Sequence, residues 1–313
     1  MDQLTTGTTG KAGKIRTGTA GPAALAVLSM ASVQLGAGVS TWMFDETGPM
    51  GTAFLRLLWA SLVLLLWARP TLRGRSREDL SVACVLGLLS AALTVSYFLA
   101  IDRIPLGVAS ALEFMGPLAV AVAGLRGRRS DLVWPVLAAA GVLALTRPWE
   151  GDAELVGLLF GCLAGACLGG YVVFTQKVGD RFEGVEGLAV SLTVATLCAA
   201  PFGLPQAAGH MLEPHILLGS FGAALLLPIL PYILELAVLR RLSTAAFGTL
   251  MSFEPGIATL IGVLLLGQPG DLLQYAGLAC VIVASLGAVN RGARKAEPDA
   301  RPKVTAEELK AAA

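Results

Sequence analysis

The stretch GTLMSFEPGIATLIGVLLLG, residues 248–267, places Glu254 and Pro255 side by side inside an otherwise apolar run. A second stretch, GVASALEFMGPLAVAVAGL at 107–125, does nearly the same with Glu113 and Pro117. A charged side chain at the centre of a bilayer costs about 2.5–3.5 kcal/mol even on lenient insertion scales. Each of these carboxyl groups therefore needs a cavity, a partner or a bound proton.

The composition around the two stretches is that of a polytopic membrane protein. Hydrophobic residues make up 55% of the 313 residues, charged residues make up 14%, and the mean hydropathy is +0.72. Because soluble domains carry roughly 25% charged residues, this chain is too apolar to cover itself with a polar surface. The net charge of +1 gives no reason to expect a nucleic-acid partner. Membrane lipid is the expected surrounding.

The apolar runs predict an all-α integral membrane protein with ten transmembrane helices, because a spanning helix needs ~20 mainly apolar residues. The predicted domains are a disordered tail at 1–20, five-helix units at 21–147 and 155–291, an external loop at 148–154 and a cytoplasmic tail at 292–313. The ten spans are predicted at about 22–44, 49–68, 80–100, 104–124, 131–147, 155–175, 186–205, 214–239, 243–267 and 270–290.

The distribution of basic residues predicts the orientation. With ten spans both chain ends lie on one side, and every Lys and Arg except Arg56, Arg103 and Arg147 falls in a tail or loop of that side. Basic loops face the cytoplasm. We therefore expect a multi-pass protein of the cell membrane with both termini cytoplasmic.

The two carboxylate-containing segments also indicate an internal repeat. Aligning FLAIDRIPLGVASALEFMGPLA (98–119) with LAVLRRLSTAAFGTLMSFEPGIA (236–258) places Pro117 over Pro255 and Arg103 over Arg241. These are the fourth and ninth spans, so each half holds five. An odd number of crossings makes the halves enter the membrane from opposite faces. Such inverted repeats are common in secondary transporters, whose substrate site lies near the midplane between the halves.

Five motifs carry a family resemblance over about residues 22–290. The chain resembles the EamA-type branch of the drug/metabolite transporter superfamily, and within it the threonine/homoserine exporters. The resemblance implies ten helices in two inverted five-helix EamA-type repeats and outward movement of small metabolites, often amino acids. The motifs are ASVQLGAGVSTWMF (31–44), FLRLLWASLVLLLWARP (54–70), AIDRIPLGVASALEFMGPLAV (100–120), GGYVVFTQKVG (169–179) and LRRLSTAAFGTLMSFEPGIATLIGVLLLGQ (239–268).

Glu254 and Glu113 are the first candidates for substrate binding or proton coupling. At 1.5 Å per residue they lie about 16 Å and about 14 Å into their predicted spans, near the middle of a ~30 Å hydrocarbon core. Either could carry a proton between the two sides or bind a substrate ammonium group. The structural alternative is a protonated glutamate bonded to a neighbouring helix.

Arg56 is the third charged group within a predicted span. It could neutralise Glu113 or Glu254, hold a substrate carboxylate through its planar fork, or extend towards the outer interface. Pro117 and Pro255 are predicted helix-breaking residues near the site, because each removes a backbone donor and frees a carbonyl one turn earlier. The freed carbonyls could line the site, or the prolines could only kink their helices where they pack. Pro228 and Pro231 are expected to break the eighth span in the same way.

The remaining polar groups inside the predicted helices could line a pocket for an amphiphilic metabolite. They are Gln34, Tyr97, Tyr171, Gln176 and Tyr232, each of which could instead hydrogen-bond a neighbouring helix. Glu235 is expected to pair with Arg240 or Arg241. A glycine in each turn of the sixth span predicts a close helix contact rather than a passage, at Gly157, Gly161, Gly165 and Gly169.

Other classes of protein fit the sequence less well. His210 and His215 lack the HExxH spacing of a zinc enzyme, and we expect no metal, no cofactor and no enzymatic activity. A passive channel or structural membrane protein remains an alternative, as does export of a lipophilic cation or another small metabolite. The expected partners are a small-molecule substrate and lipid, and the protein is expected to be a monomer or homodimer.

Overall fold

The computed structural model describes residues 20–71, 74–123, 133–147, 154–239 and 244–296, and all regular secondary structure in these ranges is helical. The helices are α1 (Ala20–Ser40), α2 (Phe44–Ala68), α3 (Arg77–Ile101), α4 (Leu106–Ala123), α5 (Val133–Thr146), α6 (Leu155–Gly179), α7 (Glu186–Ala207), α8 (Pro214–Ala224), α9 (Leu230–Leu239), α10 (Thr244–Met251), α11 (Glu254–Leu266) and α12 (Leu272–Ala296).

Each predicted apolar segment contains helix, which confirms the all-helical membrane class. In the described residues seven helical runs are long and apolar enough to cross a membrane, and two shorter apolar helices correspond to α4 and α5. The first run, Gly21–Ala68, has 48 residues and would extend about 72 Å as one helix. A 3₁₀ turn at Thr41–Met43 interrupts it between α1 and α2, and the positive φ of Gly48 (66°) interrupts it again within the first turns of α2.

The eighth and ninth segments are discontinuous. Between α8 and α9 lies a π-helical turn, Leu225–Ile229, in which Leu227 has extended backbone angles (φ −153°, ψ 113°). Between α10 and α11 the helix stops at Met251 and begins again at Glu254, with Pro255 in the first turn of α11. Proline is favoured in a first turn because its missing N–H has no intrahelical partner there.

The prediction that Pro117 breaks its helix is wrong, because α4 continues through Pro117 to Ala123. Proline in a helix interior removes one hydrogen bond and crowds the carbonyl four residues earlier, which bends a membrane helix without ending it when neighbouring helices pack around it. That carbonyl belongs to Glu113. It lies against Gly165 of α6, where the absence of a side chain leaves room for it.

The glycines of α6 form a close contact with α4, as the sequence predicts. Gly161 faces the side chain of Leu112, Gly165 faces the Leu112 carbonyl, and Gly169 faces the backbone of Gly116. None of the three lines the central cavity described below. The two backbones approach so closely that they leave no space for a methyl group at Gly165.

Gly165→Ala is expected to lower the thermal stability of the purified protein. The new Cβ would overlap the Leu112 carbonyl oxygen, so α4 and α6 must separate, at a typical overpacking cost of about 1–3 kcal/mol. The midpoint of thermal aggregation in detergent measures this. Gly222→Ala is the matched control, because open space surrounds Gly222 on α8. Equal midpoints for the two variants would show that the contact does not stabilise the fold.

The helices pack so that a cavity remains at the centre of the bundle. The largest contacts are α2 with α7, α3 with α6 and α7, α4 with α6, and α5 with α12, while α1 packs against α9 and α11. Large apolar side chains such as Leu66, Leu159 and Leu264 are more than half exposed, as expected of lipid-facing groups. Trp59 faces protein: its Nε1 donates to Ser220 Oγ at 3.1 Å.

Candidate functional site

A cavity of about 470 Å³ lies between the first five helices and the rest of the bundle. Its volume falls within the range of about 300–1,000 Å³ that is usual for small-molecule sites. Helices α1 to α4 line one side, and α6, α7 and α9 to α12 line the other. Most of its wall is apolar, and its charged lining residues are Arg56, Glu113, Glu235 and Glu254.

Glu254 is held at the break between α10 and α11. As the first residue of α11 it lies at a helix N-terminus, where the helix dipole favours a carboxylate. The fully buried Gln34 of α1 donates from Nε2 to Glu254 Oε1 at 3.2 Å and to Ser110 Oγ at 3.3 Å. Tyr97 OH donates to Gln34 Oε1 at 3.2 Å. These bonds fix one end of the Glu254 carboxyl group and leave it facing the cavity.

Arg56 is buried, with 4% of its surface exposed. Its Nη2 donates to Thr94 Oγ1 at 2.8 Å and its Nη1 to the Leu227 carbonyl at 3.3 Å, and the guanidinium lies 5.1 Å from the Phe98 ring centroid. Burial excludes extension of this side chain to the outer interface. Among the described residues no carboxylate oxygen lies within 4.0 Å of it, so the direct ion pair with Glu113 or Glu254 is not formed.

The Leu227 carbonyl is available to Arg56 because Pro231 has no N–H. In a regular helix the N–H of residue 231 would donate to the carbonyl of residue 227. Here the chain opens at Leu225–Ile229, and Arg56 replaces the missing donor. Ser32 Oγ similarly donates to the neighbouring Leu226 carbonyl at 2.7 Å. The proline pair of the eighth segment thus connects α1 and α2 to the opposite half of the bundle.

The Nε atom of Arg56 is buried and has no hydrogen-bond partner. Unpaired buried donors are rare in native proteins, and a charged one at a cavity wall is a place where an anionic ligand group can bind. Glu113 also lines the cavity and interacts electrostatically with both Arg56 and Glu254. The site therefore offers a guanidinium and two carboxyl groups within one pocket.

The structure brings together the residues singled out from the sequence. Glu254, Glu113, Arg56, Tyr97, Tyr171, Tyr232 and Pro117 line the cavity, while Gln34 contacts it through Glu254 and Pro255 is buried beside it. Sequence reasoning did not single out Thr94, Ser110 or Phe98, and it did not expect Glu235 to line the cavity.

Glu235 lines the cavity and accepts a hydrogen bond from Ser29 Oγ at 3.2 Å. Its predicted partners, Arg240 and Arg241, lie outside the described residues. The pairing therefore stays a prediction, and the position of Glu235 at the end of the apolar span Pro214–Glu235 agrees with the sequence. Pro228 and Pro231, which the sequence shows before Glu235, open the chain ahead of α9. They were the signal that Glu235 could face the interior.

At one end of the bundle, hydrogen bonds and an ion pair connect the helices on the two sides of the cavity. Gln206 Oε1 of α7 accepts from the N–H groups of Met50 and Gly51 at 3.1 and 3.2 Å, and Gln268 Oε1 accepts from Leu106 N at 3.0 Å. At the same end Arg147 pairs with Asp271. The Gln274 N–H and this guanidinium hold the pKa of Asp271 below its ordinary value, so the pair stays charged at neutral pH.

The cavity lies towards the other end of the bundle. Its walls include Leu118 near the end of α4, Leu188 near the start of α7 and Val289 near the end of α12. Among the described residues, no group of side chains that could hold a metal ion lies in this cavity. In the described ranges the side chains that could hold an ion converge at the surface, at Glu46, Glu213 and His215.

Comparison with known proteins identifies transporters. The profile of the EamA-like transporter family matches residues 155–290. The threonine/homoserine exporter RhtA of Salmonella typhimurium is 35% identical over 269 residues, which are 85% of this chain and 90% of that protein. RhtA of Escherichia coli K12 is 34% identical over the same shares.

Two more distant similarities agree. The pseudopaline exporter CntI of Pseudomonas aeruginosa PAO1 is 30% identical over 153 residues, which are 47% of this chain and 54% of CntI. A solved crystal structure with 17% identity superposes with a TM-score of 0.54, covering 88% of this chain and 99% of that one. At this identity the superposition shows similarity of fold alone.

Proposed function

Because the chain belongs to the EamA-like transporter family, we propose that it is a secondary active exporter of small amino acids such as threonine and homoserine. The observation that carries the proposal is the pocket that holds the Arg56 guanidinium and the Glu254 carboxyl group in one cavity. The 35% identity with RhtA, a threonine/homoserine exporter, over 90% of its length supports it independently.

A zwitterionic head group matches the charges of this cavity. The substrate carboxylate binds the buried Arg56, whose Nε has no partner in the protein, since the guanidinium fork suits a carboxylate. The substrate ammonium binds Glu254, which Gln34 and the α11 N-terminus hold in position. The apolar remainder of the wall admits a short side chain. A lipophilic cation would bring no carboxylate to the Arg56 Nε, which has no partner in the protein.

Alternating access by two inverted halves, 21–147 and 155–291, is the proposed mechanism. If the two halves are equivalent, α1 corresponds to α6, α3 to α9 and α4 to α11, and each contact between the halves must recur when the halves are exchanged. The α3–α6 contact then requires a contact between α9 and α1, and the α4–α6 contact requires one between α11 and α1. Both counterparts occur, and the α2–α7, α4–α11 and α5–α12 contacts map onto themselves. This pairing supports the inverted repeat, and the contacts of Gln206 and Gln268 would close one side while the other is open.

Protons would supply the driving force through Glu254. A carboxyl group cannot bind a proton and a substrate ammonium at the same time, so the two compete. Substrate would load at the cytoplasmic side and be displaced by a proton from outside. Both termini are proposed to be cytoplasmic, in line with the basic loops of the sequence. The protein is proposed to act as a monomer or a homodimer.

Export of a panel of radiolabelled amino acids from overexpressing cells tests this function. Threonine and homoserine are expected to leave saturably and to show counterflow in vesicles, which a passive channel does not. An imposed inward proton gradient is expected to accelerate their export. Cells with an empty vector provide the background. Flux that does not saturate, or that carries neither amino acid, would contradict the proposal.

A further inference from the structure

Glu235 is a third carboxyl group in the cavity, and the mechanism above does not use it. It lies on α9, lines the same cavity as Glu254, and accepts a hydrogen bond from the fully buried Ser29 of α1. A single pocket therefore holds two acidic groups, from α9 and α11, that a ligand with two positive groups could contact together.

Two tyrosines accompany Glu235. Tyr171 of α6 and Tyr232 of α9 also line the cavity, and Tyr232 and Glu235 are three residues apart on α9, so that their side chains share one face of the helix. A carboxylate beside aromatic rings is a favourable setting for an ammonium group, because the ring faces attract cations. The basic residue among the described cavity-lining residues is Arg56, which is bonded to Thr94 and Leu227. This corner of the pocket is acidic and aromatic.

We propose that Glu235, Tyr171 and Tyr232 form a second ammonium subsite, so that the cavity binds diamino acids, whose side chains end in an ammonium group, more tightly than neutral amino acids. The inference rests on the proposed function, in that Arg56 and Glu254 hold the amino-acid head group. If Glu235 served only to join α9 to α1 through Ser29, affinity would not depend on the charge of the ligand side chain.

Homoserine and 2,4-diaminobutyrate test this subsite, because they differ only in a terminal hydroxyl or ammonium group. Binding of each to the purified full-length protein is measured by calorimetry at neutral pH. The wild type is expected to bind diaminobutyrate about tenfold more tightly than homoserine, a difference in binding free energy of about 1.4 kcal/mol. Glu235→Gln is expected to remove this preference and leave homoserine affinity within about twofold. Glu183→Gln, on an exposed loop residue, is the matched control.

A second variant separates recognition from folding. Tyr232→Ala leaves the Ser29–Glu235 bond in place and is expected to reduce the preference about threefold. Equal affinities in the wild type, or an equal loss of both ligands in Glu235→Gln, would overturn the subsite. Diaminobutyrate binding that depends on Glu235, without transport of threonine or homoserine, would contradict the proposed function and leave the subsite standing. Homoserine transport by a protein that binds diaminobutyrate no more tightly than homoserine would support the proposed function and contradict the subsite.

Discussion

Glu254→Gln is expected to reduce proton-driven export of threonine and homoserine by at least about tenfold, since a hydrogen bond to a charged group contributes about 1.5–3 kcal/mol. Glutamine keeps a similar shape and can still accept the bond from Gln34 Nε2. It cannot bind a proton or carry the charge that attracts an ammonium group. The remaining transport is therefore expected to have a flat dependence on pH, while membrane insertion stays normal.

Uptake into inverted vesicles, with and without an imposed pH difference, measures this effect. Glu183→Gln is the control, because it removes an exposed carboxylate outside the cavity and should leave transport unchanged. An unaltered rate and an unaltered pH profile in Glu254→Gln would remove Glu254 from the mechanism. Loss of activity together with loss of the folded protein would assign it a structural role instead.

Arg56→Lys is expected to raise the KM for homoserine by about ten- to a hundredfold, with a smaller change in the maximal rate. Lysine keeps the positive charge but lacks the planar fork that binds a carboxylate. Its single nitrogen would also have to replace the two guanidinium nitrogens that bond Thr94 and Leu227. The loss of affinity should therefore be large for ligands that carry a carboxylate and small for ligands that lack one.

Competition by 3-aminopropanol, which is homoserine without its carboxylate, tests that dependence. The wild type should bind it far more weakly than homoserine, and Arg56→Lys should reduce this difference. Arg77→Lys, at an exposed position outside the cavity, controls for the substitution itself. If Arg56→Lys lowered thermal stability but kept the wild-type preference for homoserine, Arg56 would be a structural residue only.

The sequence indicated the helical class and much of the site because charges within apolar runs have few physical explanations. Glu113, Glu254 and Arg56 were found on this basis, and all three line one cavity. Thr94 and Ser110 were missed because hydroxyl groups in membrane helices usually bond their own backbone, as Ser90 and Thr196 do here. Their cross-helix partners depend on how the helices pack.

The two prolines of the repeated motif show a second limit. Pro255 follows its glutamate directly and so falls in the first turn of a new helix, whereas Pro117 lies four residues after Glu113, in a helix interior. The same pair of residue types therefore gives a break in one half and a continuous helix in the other. Glu235 has basic neighbours in the sequence, which suggested an ion pair, whereas its place in the cavity wall depends on how α9 packs against α1.

Substrate protection of a thiol inside the cavity tests the central claim most directly. Met251 lines the cavity beside Glu254, and Met251→Cys can be introduced after the five native cysteines are replaced. A water-soluble maleimide is expected to label this thiol from the side that holds the chain termini, and homoserine is expected to slow the labelling in a saturable way. Labelling that is absent from that side, or that no amino acid slows, would contradict a substrate cavity between the two halves.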